Sequence, residues 1–429
     1  MTSASVFVPT VPMKKGYLTV LVVAYLALYL AWIAPVGFSM AVRVEALDPD
    51  GKDAILPIVL GVSGVISLIG GPIFGILSDR TRWRFGKRRT WMLLGMLAGL
   101  IGSSLVGAAP NITLLITAWS FAYLGYTVTG AMFLTHLSDR LPPAQQGKVA
   151  GFTGAVTQLA PVIGVAIAGA FVDSPIVMFA APAAVAFVIG LVFVFMMKDE
   201  PAPTDVPHIN AAQFFRGYWF SPRRHPNFAW VWLSRGLMFL ALSFMQVYQV
   251  YLLADRLDLE TATIAGIVST VGLVSILFAI LGSIASGTLS DKLGVRKPFI
   301  IGAGFVLGTG LVLIGTVSSI PQFYIGSAVA TLGIGIFSAV DQAIGLDTLP
   351  NDQGENGRFI GIFNLSNQIA QAIGPFIVAA VLVAAGGSYT TVYIVAAVIA
   401  VIAGCTILFV DPARPRTVTI RIPSQKAVR

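Results

Sequence analysis

Twelve apolar runs dominate this chain, each long enough to cross a hydrocarbon layer roughly 30 Å thick. They fall at about 17–40, 54–78, 90–109, 112–137, 149–172 and 176–197, then 227–253, 262–288, 298–317, 322–347, 359–384 and 389–410. Backbone groups at that depth find no water, so each run is expected to be an α-helix. With 56% hydrophobic and 11% charged residues, the chain has too little charge to cover a soluble surface. The first run follows Lys14 and Lys15, is long, and lacks an A-x-A cleavage site. It is therefore expected to stay as a membrane helix rather than be removed as a signal.

Net charge of +8 would suggest nucleic acid in a soluble protein, but its placement gives another meaning here. With both termini on the cytoplasmic side of a cell membrane, 23 of the 27 lysines and arginines fall on that side. Arg43, Lys52 and Arg256 fall on the other, and Arg235 lies inside a span. The charge is a topology signal, and attraction to anionic lipid follows from it. One long break, 198–226, holds Pro201, Pro203 and Pro207 and the run Phe214 to Phe220. It divides the chain into residues 1–197, a cytoplasmic loop over 198–226, and residues 227–429, with six spans on each side.

The two sides repeat each other. Gly71 to Arg89 carries Gly75-Ile-Leu-Ser-Asp79-Arg80 and then Gly86-Lys87-Arg88. Gly287-Thr-Leu-Ser-Asp291-Lys292 and then Gly294, Arg296 and Lys297 return the same G-x-L-S-D-[RK] core. Gly147, Lys148, Gly151, Gln158 and Gly164 reappear at an offset of 210 as Gly357, Arg358, Gly361, Gln368 and Gly374. Asp139 to Pro142 likewise returns as Asp347 to Pro350. Duplication of this kind marks a transporter built from internal repeats.

On these motifs the chain resembles the major facilitator superfamily, whose loop between helices two and three carries this signature. The longer first copy is similar to the branch containing sucrose, melibiose and pentoside carriers (glycoside-pentoside-hexuronide transporters). The resemblance implies an all-α polytopic membrane protein of twelve helices in two six-helix repeats. It also implies that Asp79, Arg80, Asp291 and Lys292 latch the two halves. An aspartate at the carboxyl end of its own helix sits at the wrong pole of the dipole and needs compensation. Asp79 is expected to meet the start of helix eleven at Gly357 and Arg358, and Asp291 that of helix five at Gly147 and Lys148. Gly75 and Gly287 would let the backbones approach.

Charges inside the membrane are functional candidates by default. Arg235 lies nine residues after Pro226, and Asp341 nine before Pro350. At about 1.5 Å per residue both sit roughly 13 Å from the same face, so an ion pair is expected. It would be loosened by a proton or the solute, or would serve as a permanent brace. His136 is expected at the boundary.

Polar and aromatic stripes suggest a solute path. Tyr25, Tyr29 and Trp32 share a face of helix one, and Trp119, Tyr123 and Tyr126 one of helix four. Gln246 and Gln249 lie on helix seven, and Asn364, Asn367, Gln368 and Gln371 on helix eleven. Rings with amides suit a hydroxyl-rich solute, and equally suit helix packing. Gln158 and Gln368, as repeat partners, are expected to pack. Helix two has no carboxylate between Asp53 and Asp79, and helix four none at mid-depth, so the acids used by the similar sugar carriers are missing there.

Scattered histidines, a single cysteine (Cys405), and the lack of H-E-x-x-H or G-x-x-x-x-G-K-[ST] argue against an enzyme, a metal site or nucleotide-driven pumping. The reading is a monomeric secondary transporter, without cofactor, moving a small polar solute, a sugar or glycoside, by proton symport with alternating access. The rival is proton-driven efflux of amphipathic compounds.

Overall fold

The computed structural model describes residues 13–197, 199, 217, 219–350 and 356–411, without the side chains at 138–139, 143–144, 146–148, 150 and 356. Among these residues twelve helices are long and apolar enough to cross a membrane. The first six are α1 (Lys15–Leu47), α2 (Lys52–Asp79), α3 (Lys87–Ala108), α4 (Ile112–Leu137), α5 (Gly151–Gly169) and α6 (Pro175–Met196). The others are α7 (Pro226–Val247), α8 (Thr261–Leu293), α9 (Lys297–Gly315), α10 (Ile320–Asp347), α11 (Gly357–Ala384) and α12 (Tyr389–Phe409). Most of the expected central loop, and the chain after Asp411, lie outside the described residues.

Two helices depart from the sequence reading in a related way. Proline 35 has no N–H to continue the α ladder, and α1 passes through a π turn at Pro35–Ser39 before resuming to Leu47. The seventh apolar run, read as unbroken to 253, stops at Val247. A bend at Tyr248 leads into a short helix, Gln249–Leu257. These breaks fall at equivalent places in the two repeats. Helix α8 runs five residues past its expected end, to Leu293, where Gly294 takes the left-handed conformation (φ 65°) that closes a helix.

Small residues set the helix contacts. Gly95, Gly99 and Gly102 recur at i, i+4 and i+7 along α3, so one stripe of bare backbone faces α4. A β-carbon there would meet Thr129, Tyr126 or Ala122. In the other half, Gly304 and Gly308 on α9 admit α12 equally closely, at Ala400 and Ala397. Large apolar side chains face outward instead, as with Leu273, Leu277, Ile280, Leu281 and Ile284 along α8. Dispersion and close packing hold such a bundle, because lipid tails are as apolar as the helices themselves.

Every described hydrogen bond between the halves lies at one end of the bundle. Tyr389 donates to Asp53 Oδ1 (2.6 Å), Tyr248 to the Asp53 carbonyl (2.6 Å), and Tyr251 to the Ala41 carbonyl (3.0 Å). Lys52 bridges Glu45 (2.7 Å) and Asp255 (3.5 Å). Deeper on the same side, Gly64 lies against Ala372 and Gly61 against Phe376, bringing α2 onto α11. Toward the end that carries Arg80 to Arg89, Gly75, Gly151, Gly154 and Gly357 have nothing within 4 Å of where a β-carbon would stand. The halves meet at the end opposite the basic loops and part at the basic end.

Candidate functional site

Between the halves lies a cavity of about 1040 Å³, with walls drawn from α1, α2, α4, α5, α7, α8, α10 and α11. Its two sides differ. From the first half come rings, Tyr29, Trp32 and Tyr123, packed edge on: Trp32 meets Tyr123 at 83° and 5.5 Å. From the second half come most of the amides, Gln246, Gln249, Asn364, Gln368 and Gln371, with Gln158 added by the first. Hydroxyls of Ser67, Thr127, Thr157, Ser275 and Thr331 complete the polar part. Among the described residues, no lining side chain is charged.

Several expected contributors stand elsewhere. Tyr126 is 1% exposed and spans α3 and α4, bonded to Ser103 Oγ (2.8 Å) and the Gly99 carbonyl (3.2 Å). Helix α4 is enclosed on two sides, so its aromatic stripe is divided between cavity and bundle, and Trp119, fully buried, goes with the bundle. Tyr25 lies behind the wall, donating to Tyr29 Oη (3.3 Å) with its ring against Phe133. Asn367 accepts from Gln371 (3.1 Å), which itself faces the cavity. Gln158 and Gln368, expected to pack, both line the cavity instead, since α5 and α11 occupy equivalent places around it. His136 stands at the boundary as expected, one residue before the end of α4, where it is 2% exposed and bonded to Tyr17 Oη (2.6 Å) beside Phe193.

Arg235 and Asp341 are brought together, Nη1 donating to Oδ2. They are 6% and 2% exposed. The guanidinium also lies 4.3 Å from the centre of the Phe363 ring and 5.2 Å from that of Phe239, so rings shield the faces of the cation. Behind the cavity wall, a second Arg235 nitrogen, Nη2, reaches Asn364 Oδ1 at 3.5 Å.

The Major Facilitator Superfamily profile matches residues 19–282 and 259–428. The chain belongs to the Major Facilitator Superfamily. Relatives in sequence to this facilitator are "Multidrug resistance protein 3" of Bacillus subtilis (34% identical over 110 residues, 26% of this chain and 20% of that one) and "General alpha-glucoside permease" of Schizosaccharomyces pombe (31% over 145 residues, 32% and 24%). The matched stretches thus span about a quarter or less of those relatives' length. Two solved structures share its fold. One is a bacterial homologue of the human lysosomal transporter Spinster, inward-facing and occupied (TM-score 0.69, 14% identity, 93% of this chain and 97% of that one). The other is the nucleoside transporter NupG (TM-score 0.70, 12% identity, 92% and 98%).

The two signature aspartates of this facilitator pair within their own halves. Asp79 pairs with Arg88 (2.7 Å), not with the start of α11, and Ser78 accepts from Arg88 and donates to the Lys87 carbonyl. Arg358 instead donates to the carbonyl of Trp219 (2.7 Å). Asp291 faces Arg296 (3.3 Å), which also reaches Asp347 (2.7 Å). Lys297 donates to the Val410 carbonyl. A β-carbon at Gly287 would stand 3.6 Å from Ala339 of its own half, and the side chains of Asp139 and Lys148 lie outside the described residues. Among the described residues Asp79 makes no cross-half contact, the basic end being open.

One residue of this loop network was missed from the sequence. Asp199, just past α6, accepts from the backbone N–H of Arg88 (2.6 Å) and Arg89 (2.8 Å), capping α3. A signal existed: Asp199-Glu-Pro-Ala-Pro follows the sixth run as Asp411-Pro-Ala-Arg-Pro follows the twelfth.

Proposed function

We propose that this facilitator carries an uncharged, hydroxyl-rich solute, a sugar or glycoside, by proton symport with alternating access. The observation that carries the reading is the cavity lining: rings from the first half, amides mostly from the second, and no charged side chain among the described residues. Rings stack on the apolar face of a pyranose while amides both donate to and accept from its hydroxyls. An organic cation entering the same cavity would give up water and meet no carboxylate, a cost a neutral solute does not bear. The name of the α-glucoside permease relative agrees with a sugar, while that of the multidrug relative keeps efflux as the alternative.

Coupling is assigned to Arg235 and Asp341, the one ion pair among the described residues with both partners buried. The excess of lysine and arginine at the open end supports a cytoplasmic orientation for it, and with it cytoplasmic termini in a cell membrane. The conformation would then be the one open to the cytoplasm, with the protein acting as a monomer.

A thermal-stability screen of the purified protein tests the substrate class, with maltose and sucrose against tetraphenylphosphonium and ethidium. A ligand at 100 times its Kd stabilises the folded state by about 2.7 kcal/mol. Stabilisation by a sugar, followed by sugar-dependent proton uptake in vesicles, is the expected result. Stabilisation by the cations alone would overturn it.

A further inference from the structure

A neutral solute in an uncharged cavity has no charge of its own to press on Arg235 or Asp341. Among the described hydrogen bonds, one joins the cavity wall to the pair. Asn364 lines the cavity, and its Oδ1 accepts from Arg235 Nη2 at 3.5 Å. A guanidinium offers only donors, so the amide oxygen must face it and the Nδ2 donors remain for the cavity. Arg235 Nη1 is given to Asp341, and its Nε has no partner among the described residues. The cation therefore lies between two competing acceptors, a carboxylate on α10 and an amide on α11. Phe363 and Phe239 flank it without fixing it to either.

We propose that Asn364 is the positioning residue that reports cavity occupancy to the ion pair. A solute hydroxyl accepting from Asn364 Nδ2 polarises the amide and strengthens its carbonyl as an acceptor. Arg235 is drawn toward α11 and off Asp341, which takes up a proton from bulk solvent and becomes a neutral acid. Arg235 keeps its charge, held by the amide and the rings. Solute and proton then favour each other's binding, reciprocally, which is the sign symport requires. Arg235 is the charged group that faces Asp341. The other charged residues of the neighbouring α8, α9 and α11 (Asp291, Lys292, Lys297 and Arg358) stand at helix ends, and α7 has no other. This inference rests on the neutral-solute reading, but its link between Asn364 and Arg235 can be tested without any solute.

A hydrophobic carbodiimide modifies protonated, buried carboxyls, and mass spectrometry of the Asp341 peptide gives the rate, with Asp341→Asn as the blank. Without solute, Asn364→Leu lets Arg235 settle onto Asp341, and the rate at neutral pH falls about threefold. Asn364→Gln, which keeps an amide, holds a rate near the original. With saturating maltose or sucrose, whichever stabilises the protein, the original chain is modified about tenfold faster, and Asn364→Leu shows no such increase. An unchanged solute-free rate in Asn364→Leu overturns the link while leaving the sugar reading intact. A solute-driven increase that survives in Asn364→Leu, or a decrease in the original chain, overturns it equally. Stabilisation by the cations alone removes the neutral-solute reading and the inference with it.

Discussion

A carboxylate with 2% of its surface exposed persists at mid-bundle because a guanidinium meets it. Removing one partner leaves the other buried and uncompensated. Asp341→Leu is therefore expected to lower stability by about 3–5 kcal/mol, and adding Arg235→Met to recover most of that. Thermal unfolding in detergent checks both. A double variant as unstable as the single one would mean that the destabilisation is a packing effect, not an orphaned charge. This pair was legible in the sequence because depth follows from counting residues to the helix ends. The role of Tyr126 was not, since a shared helix face does not say whether a cavity or a neighbouring helix lies beyond it. Tyr123 and Tyr126 are separated by less than one turn, yet one faces the cavity and the other bonds to Ser103.

Elements end where local chemistry lets them, and α3 begins where three features meet. Gly86 holds φ at 107°, a conformation that disfavours side chains, and a β-carbon there would collide with Asp199. The Asp199 carboxylate takes two N–H groups at the positive end of the helix. Asp199→Ala should then cost about 1 kcal/mol. Its signature is faster hydrogen exchange at the amides of Arg88 and Arg89, with the amides of mid-α3 unchanged. Equal protection at Arg88 and Arg89 in the variant would show that water replaces the cap at no cost. The twelve spans were readable because a 30 Å layer demands long apolar runs. The breaks at Pro35–Ser39 and Tyr248 were not, because the apolar composition runs through both. Hydropathy reports where a helix can be, while a π turn depends on one missing N–H.

For the molecule as a whole, alternation between faces amounts to a balance of end contacts. In this conformation the end away from the basic loops is held by Tyr389 and Tyr248 on Asp53, Tyr251 on Ala41, and Lys52 between Glu45 and Asp255. At the basic end, Asp79 is occupied within its own half by Arg88. Closing that end and opening the other would release Asp53 to water and carry Asp79 toward the start of α11. Tyr389→Phe with Tyr248→Phe removes two hydrogen bonds, each contributing about 1 kcal/mol, so the ratio of the two conformations shifts by up to about thirtyfold. Because the chain has one cysteine, Cys405→Ser gives a background for a reporter at Gly357→Cys, a position with open space around it here. Labelling by an impermeant maleimide should slow severalfold or more in the tyrosine double variant. Adding Asp79→Asn weakens the contact that would hold the basic end shut, so labelling should return toward its original rate. If the tyrosine substitutions leave labelling unchanged, the Asp53 contacts do not set the balance. If Asp79→Asn has no effect on the slowed rate, the aspartate shapes only its own loop, and the repeated G-x-L-S-D motif acts within each half rather than between them.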